Sequence, residues 1–517
     1  MPEAFHPTPE QLRYLALLAE KYPTIAAASS EIINLEALSR LPKGTEHFMS
    51  DLHGENEAFI HILNSASGVI REKIDVVLGE GVPAAERAEL ATLIYYPVQK
   101  LPELKAKQSD LTAWYRKNLL WLIQLCRFVS SKHTRDHVRK CLPKYCGHII
   151  DELLHAHFED HDKDLYYGQI IDSIIRHDRA DAYITRFCEV IKRLAVDRLH
   201  IVGDLFDRGP RPDQILDRLM LHHDVDIQWG NHDVVWMGAA AGSPICILTV
   251  LKTTVAYNNL PTLENGYGIS LRGLDHLAEA FYADTDVEHW KPHLDPRTSP
   301  GADTIARAAR MHKAVTIMML KLEAQVIARN PDFQYQGRDY LNQIDYAAGT
   351  VRCGGKSYPL LDPVFPTVDP ADPSRLNPQE EQVLSDLVRS FTESERLQRH
   401  TQFLYAKGAV YKVCNGNLLF HGAVPMTEDG AFAAETFEGK SYSGKALFDY
   451  CDRRAREGYF AAPGSPERQA GQDFLWYLWC GRLSPIFGRS AMTTFERLYI
   501  ADKSTHTEVK NPYYRHI

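Results

Sequence analysis

Three short apolar runs, each halting in a turn of glycines and charged side chains, constrain this chain more than any other feature. The central one is Leu199-His200-Ile201-Val202-Gly203-Asp204-Leu205-Phe206-Asp207-Arg208-Gly209. Glu46-His47-Phe48-Met49-Ser50-Asp51-Leu52-His53-Gly54 precedes it, and Asp226-Ile227-Gln228-Trp229-Gly230-Asn231-His232-Asp233 follows it. An apolar strand that ends abruptly in polar, turn-forming residues is where α/β folds place their chemistry, at the carboxyl ends of strands. One helix's worth of chain, with Ile215, Leu216 and Leu219 on one face, separates the second run from the third. That spacing predicts a compact βαβ step with neighbouring parallel strands.

The rest of the chain divides around these strand ends. Residues 1–64 read as N-terminal helices, with Leu12, Leu15, Leu18 and Tyr22 at helical spacing and a break near Pro23, followed by the first catalytic strand. Residues 65–197 read as a helical insertion, because a direct crossover needs far fewer residues. Residues 198–255 form the catalytic core. Residues 256–403 are a second insertion, mainly helical, with a proline-rich connector from Pro359 to Pro378. Within it, Met311, Val315, Met318 and Leu322 mark a buried helix over Thr304–Arg329, and Cys353-Gly354-Gly355 a hairpin turn. Asn377-Pro378-Gln379-Glu380 is a capping-box helix start. Residues 404–517 continue the core, with strands over Ala409–Val413 and Asn417–Phe420, the second running into His421.

A net charge of −9 argues against a general nucleic-acid binder. The nine cysteines are scattered from Cys126 to Cys480 with no Cys-x-x-Cys pair, which suits reduced thiols in the cytoplasm. The longest nearly apolar run, Gly238 to Leu251, contains a proline and is too short to span a bilayer.

Alternate residues at a strand end point the same way, so Asp51 and His53 reach a common point. Asp204 ends the next strand and adds a carboxylate. Asn231 and His232 end the third, and His421 a later one. Oxygen and imidazole donors without thiolate suit Mn²⁺, Fe or Zn²⁺ in a working site rather than a structural zinc. Other clusters carry less. Glu152-Leu153-Leu154-His155 imitates half of a di-iron site, but the only second Glu-x-x-His is Glu3 to His6, so a solvated polar face is the better reading. Arg453, Arg454 and Arg456 read as a solvated helix face, with a sugar phosphate as the alternative.

The ordered set Asp-x-His-Gly, Gly-Asp-x-x-Asp-Arg-Gly, Gly-Asn-His-Asp and His-Gly resembles the calcineurin-like metallophosphoesterases. With its flanking residues, the long helical insertions and Thr505 to Tyr514, nearly the whole chain resembles class III, manganese-dependent fructose-1,6-bisphosphatase. The resemblance implies an α/β sandwich, a sugar bisphosphate substrate and two divalent cations, most suitably Mn²⁺. It implies that Asp51 and His53 bind the first metal, Asp204 bridges, and Asn231 and His421 bind the second. It also implies His232 as general acid, Asp207 as its support, and Arg208 with Asn231 on the phosphate. Phosphoprotein and nucleotide phosphatases share the core motifs, so only the insertions argue for the sugar.

The family's chains continue past Asn511-Pro512-Tyr513-Tyr514 to a Gly-His-Thr-Pro-type motif whose histidine completes the second metal site. Here the sequence stops at Ile517 without it. The expectation is a C-terminally truncated chain whose sheet lacks its closing strands. It would be a fragment, a chain completed by a separate C-terminal polypeptide, or an inactive sugar-phosphate-binding remnant. A homo-oligomer is a further expectation.

Overall fold

The computed structural model describes residues 7–155, 164–294, 300–335 and 337–517. They sort into two compact units: Met1–Glu46 with Asn64–Asp197, and His47–Leu63 with Arg198–Ile517.

The first unit is helical. The helix Leu111–Ser130 starts at Asp110, whose side chain accepts the Ala113 N–H at 2.9 Å. It buries Trp114, Tyr115, Leu119, Leu122, Ile123 and Cys126, one face at the i, i+3, i+4, i+7 spacing. The helix Ala180–Ala195 packs on it, burying Ile184, Phe187, Val190, Ile191 and Leu194. Each large apolar side chain so buried contributes roughly 1.5–3 kcal/mol. Helices Pro9–Lys21 and Ile25–Leu38 flank the Pro23 break, but neither buries a side chain. Helical spacing there produced a helix without a core face.

Two minor readings also resolve in this unit. His155 Nδ1 lies 2.7 Å from the Asp151 carbonyl, and its Nε2 accepts from Arg135 Nε at 3.0 Å. Both ring nitrogens are therefore engaged by protein, as befits a polar face. Glu3 and His6 lie outside the described residues.

In the second unit, strands β1 (Glu46–Met49), β2 (Arg198–Val202), β3 (Val225–Gln228) and β4 (Gly408–Ala409) form a sheet in the order β1-β2-β3-β4. β2 and β3 are parallel, with Leu199 opposite Val225 and Val202 opposite Gln228. β3 and β4 are parallel too, with Ile227 opposite Gly408. The helix Pro212–Met220 makes the crossover between β2 and β3 and buries Ile215, Leu216 and Leu219. The expected parallel βαβ step is present.

The strand expected over Ala409–Val413 divides instead. Gly408–Ala409 belongs to the main sheet, while Tyr411–Cys414 forms a hairpin with Asn417–Phe420. The switch falls at Val410, whose N–H turns away to Asp452 Oδ2 at 3.1 Å.

The second insertion follows its sequence pattern. The helix Ala302–Arg329 buries Met311, Val315, Met318 and Leu322. Gly354 and Gly355, both at positive φ, turn the strand Thr350–Cys353 into Lys356–Pro359. Asn377 and Glu380 form the reciprocal capping box. Arg453, Arg454 and Arg456 lie on the helix Gly444–Phe460 and pair with Glu457, Glu457 and Asp452. Among the described residues no helix is long and apolar enough to cross a membrane, and the nine cysteines form no disulfide.

Candidate active site

The loops leaving β1 and β2 run side by side. Asp51 N–H donates to the Gly203 carbonyl at 3.1 Å, His53 to Asp204 at 2.8 Å, and Gly54 to Leu205 at 2.9 Å. Asp51, His53, Gly54, Gly203, Asp204 and Asp207 all have positive φ. Non-glycine residues rarely adopt this conformation, and it clusters where a site dictates side-chain direction. Contact between the loops is closest at the glycines: a Cβ on Gly209 would lie 1.9 Å from the His53 carbonyl oxygen.

The result is a tight donor cluster. One ligand atom from each of Asp51, His53 and Asp204 falls within 4.8 Å of the others. His53 Nε2 is 3.7 Å from Asp51 Oδ1 and 3.5 Å from Asp204 Oδ2. His421 Nε2 is 3.2 Å from the same Asp204 oxygen. Its Nδ1 lies 2.9 Å from the Val202 carbonyl, which fixes Nδ1 as the protonated nitrogen and leaves Nε2 for the cluster. A neutral imidazole lone pair and a carboxylate oxygen do not sit this close without a proton or a cation between them. Burial opposes charge on His421, yet the hydrogen bond and charge of Asp204 raise its pKa to about 9. The Asp204 hydrogen bond also raises His53. Burial alone would raise Asp204, but the two imidazoles hold it far below the usual carboxylate range. The donor set, oxygen and imidazole without thiolate, fits divalent cations.

A second pair stands beside this cluster. His232 Nδ1 is 3.2 Å from Asp207 Oδ1, and Arg208 Nε is 3.6 Å from Asp207 Oδ2. Burial lowers the His232 pKa, and the charges of Asp204 and Asp207 work against that. The His232 backbone N–H donates to Asp204 Oδ1 at 3.2 Å, so the two groups share one frame. Arg208 is exposed, and its carbonyl accepts from Asn259 Nδ2. Asn231 is buried. Its Nδ2 donates to the Trp479 carbonyl at 3.4 Å, leaving Oδ1 as the acceptor.

All eight residues singled out from sequence, Asp51, His53, Asp204, Asp207, Arg208, Asn231, His232 and His421, therefore gather at one end of the sheet. Two contributors were not assigned from sequence. Trp479 packs its ring edge-on against His232 at 4.7 Å between centroids. Asp233, fully buried, accepts backbone N–H groups from Asp204, Leu205, Phe206 and Gly230. Its place three residues after Gly230, a helix-start pattern, was the available signal.

A parallel sheet whose strand ends present carboxylates and imidazoles around one point, beside a carboxylate-supported histidine, is the arrangement of a metal-assisted hydrolase. Comparison with known proteins narrows this class. The family model of the Firmicute fructose-1,6-bisphosphatases matches residues 13–517. A class 3 fructose-1,6-bisphosphatase of Clostridium novyi (strain NT) is 49% identical over 507 residues, covering 98% of this chain and 76% of that one. A class 3 fructose-1,6-bisphosphatase of Listeria innocua is 46% identical over 504 residues, covering 98% and 77%. No solved structure matches the chain. The chain belongs to the Firmicute fructose-1,6-bisphosphatase family.

Proposed function

We propose that this chain is a dimetal phosphomonoesterase of gluconeogenesis that hydrolyses fructose 1,6-bisphosphate to fructose 6-phosphate and phosphate. One observation carries the reading: on a chain of this family, two imidazole Nε2 atoms lie 3.2 and 3.5 Å from a single buried carboxylate oxygen. Asp51 and His53 would hold a first cation, Asn231 and His421 a second, with Asp204 between them. Mn²⁺ suits such oxygen and imidazole donors. When bound, the cations supply Lewis acidity and neutralise charge on the phosphoryl group.

The chain's own residues then divide the remaining work. Arg208, exposed at the rim, offers a planar fork to two phosphate oxygens. The Asn231 amide fixes the phosphate's orientation. His232 delivers a proton from Nε2 to the departing C1 oxygen, because Asp207 faces Nδ1 at 3.2 Å and holds the tautomer. Trp479 limits the tilt of the ring. The absence of disulfides among the nine cysteines supports a cytoplasmic setting.

The test is phosphate release from fructose 1,6-bisphosphate by the purified chain with Mn²⁺. Release that a chelator abolishes is expected. A metal-loaded chain that leaves this substrate intact but cleaves phosphoserine peptides would overturn the reading.

A further inference from the structure

A second cluster of imidazole and carboxylate lies wholly within the first unit. His133, His137 and Asp197 each bring one ligand atom within 4.8 Å of the others. Local structure explains the two histidines. His133 precedes Thr134, whose side chain accepts the His137 N–H at 3.2 Å and caps the helix Arg135–Cys141. The two rings then stack, 4.7 Å between centroids and 18° between planes. Asp197 follows the helix Ala180–Ala195 and stands immediately before β2.

Proton placement singles this cluster out. His133 Nε2 lies 3.2 Å from the Leu194 carbonyl, and a carbonyl only accepts, so Nε2 carries a proton. Nδ1 faces Asp197 Oδ1 at 3.3 Å. Burial lowers the His133 pKa below its ordinary 6.5, which leaves Nδ1 a lone pair at neutral pH. A lone pair and a carboxylate oxygen repel unless a proton or a cation lies between them. A proton would draw the pair in to about 2.7–2.9 Å. Two donors held at about 2.0–2.1 Å on a tetrahedral Zn²⁺ stand about 3.3–3.4 Å apart, the separation found here. The other carboxylate oxygen is committed. Asp197 Oδ2 accepts the Thr45 N–H at 2.6 Å and pairs with Lys132 Nζ at 2.8 Å, and Lys132 also donates to Thr45 Oγ1 at 2.6 Å. Such outer bonds fix the direction of a ligating carboxylate. The Lys132 ammonium works against a cation, but it sits on the Oδ2 side. Nearly parallel rings cannot both point at one ion, so His137, the exposed one, turns out of the stack as it binds.

We propose that His133 Nδ1, His137 and Asp197 Oδ1 form a structural Zn²⁺ site made of none of the active-site residues. Two imidazoles and one carboxylate are a donor set on which Zn²⁺ outcompetes Mn²⁺, with a position left for water. Bound there, the ion ties the start of the helix Arg135–Cys141 to the residue that leads into β2.

The experiment loads the full chain with Zn²⁺, removes loosely held metal by gel filtration, and counts zinc by elemental analysis. It compares the wild type with His137→Ala, His137→Cys and Asp204→Asn, the last to damage the active-site cluster. His137→Ala should hold about one zinc per chain fewer than wild type. His137→Cys, which exchanges one zinc donor for another, should recover part of that zinc. Asp204→Asn should still carry a zinc that adding His137→Ala removes. Loaded with Co²⁺ instead, Asp204→Asn should show the visible absorption of a four-coordinate ion, and the double variant should lose it. Equal zinc in the wild type and His137→Ala would overturn the proposal. So would a deficit shared in full by His137→Cys, which would make His137 a support of the local fold rather than a ligand.

Discussion

Asp233 Oδ2 accepts the backbone N–H of Asp204 at 2.9 Å, and the same oxygen accepts that of Gly230 at 2.9 Å. Its Oδ1 takes Leu205 at 2.8 Å and Phe206 at 3.3 Å. One buried carboxylate thus clamps the ends of β2 and β3 together. Burial and the neighbouring Asp204 charge raise its pKa to about 7. In Asp233→Asn the amide nitrogen would have to face two N–H donors. A loss of about 2–4 kcal/mol is expected in urea unfolding of the metal-free chain, because buried donors left unmatched cost this much. A midpoint equal to wild type would mean that the clamp is dispensable.

His232 and Asp204 separate proton delivery from metal binding. His232→Ala leaves the carboxylate and imidazole cluster intact. It should keep the wild-type metal content and lower kcat by about 10²- to 10⁴-fold, the usual share of a general acid. Asp204→Asn removes the charge that both His53 and His421 face, so metal content should fall along with activity. Elemental analysis of the two purified variants decides; equal metal loss in both would contradict the division.

The cluster was legible in sequence because its members stand where apolar runs stop. Asp51, His53, Asp204, Asn231 and His232 all follow β1, β2 or β3 directly, and glycines at 54, 203 and 230 mark the close approaches. What stayed hidden depends on partners far along the chain. The helix-start spacing from Gly230 could flag Asp233 as a cap, but its hold on the backbone N–H groups of Asp204, Leu205 and Phe206 carries no residue signature. Val410 leaves its strand for Asp452, on a helix that begins at Gly444. The N-terminal leucines had the right spacing, but spacing reports a face and not what covers it.

His312 should make stability depend on acid. Burial, and then the nearby Lys252 charge, lower its pKa to about 3 from an ordinary 6.5. Below pH 6.5 the unfolded chain takes a proton that the folded chain refuses until about pH 3. The contribution is therefore complete above pH 6.5 and is lost as pH falls, by at most about 1.4 kcal/mol per pH unit. His312→Gln should show a shallower loss of urea midpoint between pH 7 and pH 4.5 than wild type. Identical slopes would show that His312 titrates normally when folded.

Gly230→Ala tests whether the orientation of Asp204, rather than its mere presence, sets metal binding. The Gly230 backbone has φ −87°, open to any residue, so a methyl group strains nothing locally. The space is the obstacle: the new Cβ would lie 2.1 Å from Asp204 Oδ1 and 2.4 Å from its nitrogen. The Asp204 backbone and carboxylate must then shift together, which moves the carboxylate from its place beside His53 and His421. Gly268→Ala is the matched control, because Gly268 has φ +70° with nothing within 4 Å of a Cβ. That variant should lose about 1 kcal/mol of stability from backbone strain while keeping its metal. Gly230→Ala should lose metal by elemental analysis and should release a proton-to-metal exchange signal smaller than wild type when titrated with Mn²⁺. If Gly230→Ala retained full metal content, Asp204 could bind cations from a displaced position, and the crowding around Gly230 would serve the fold alone.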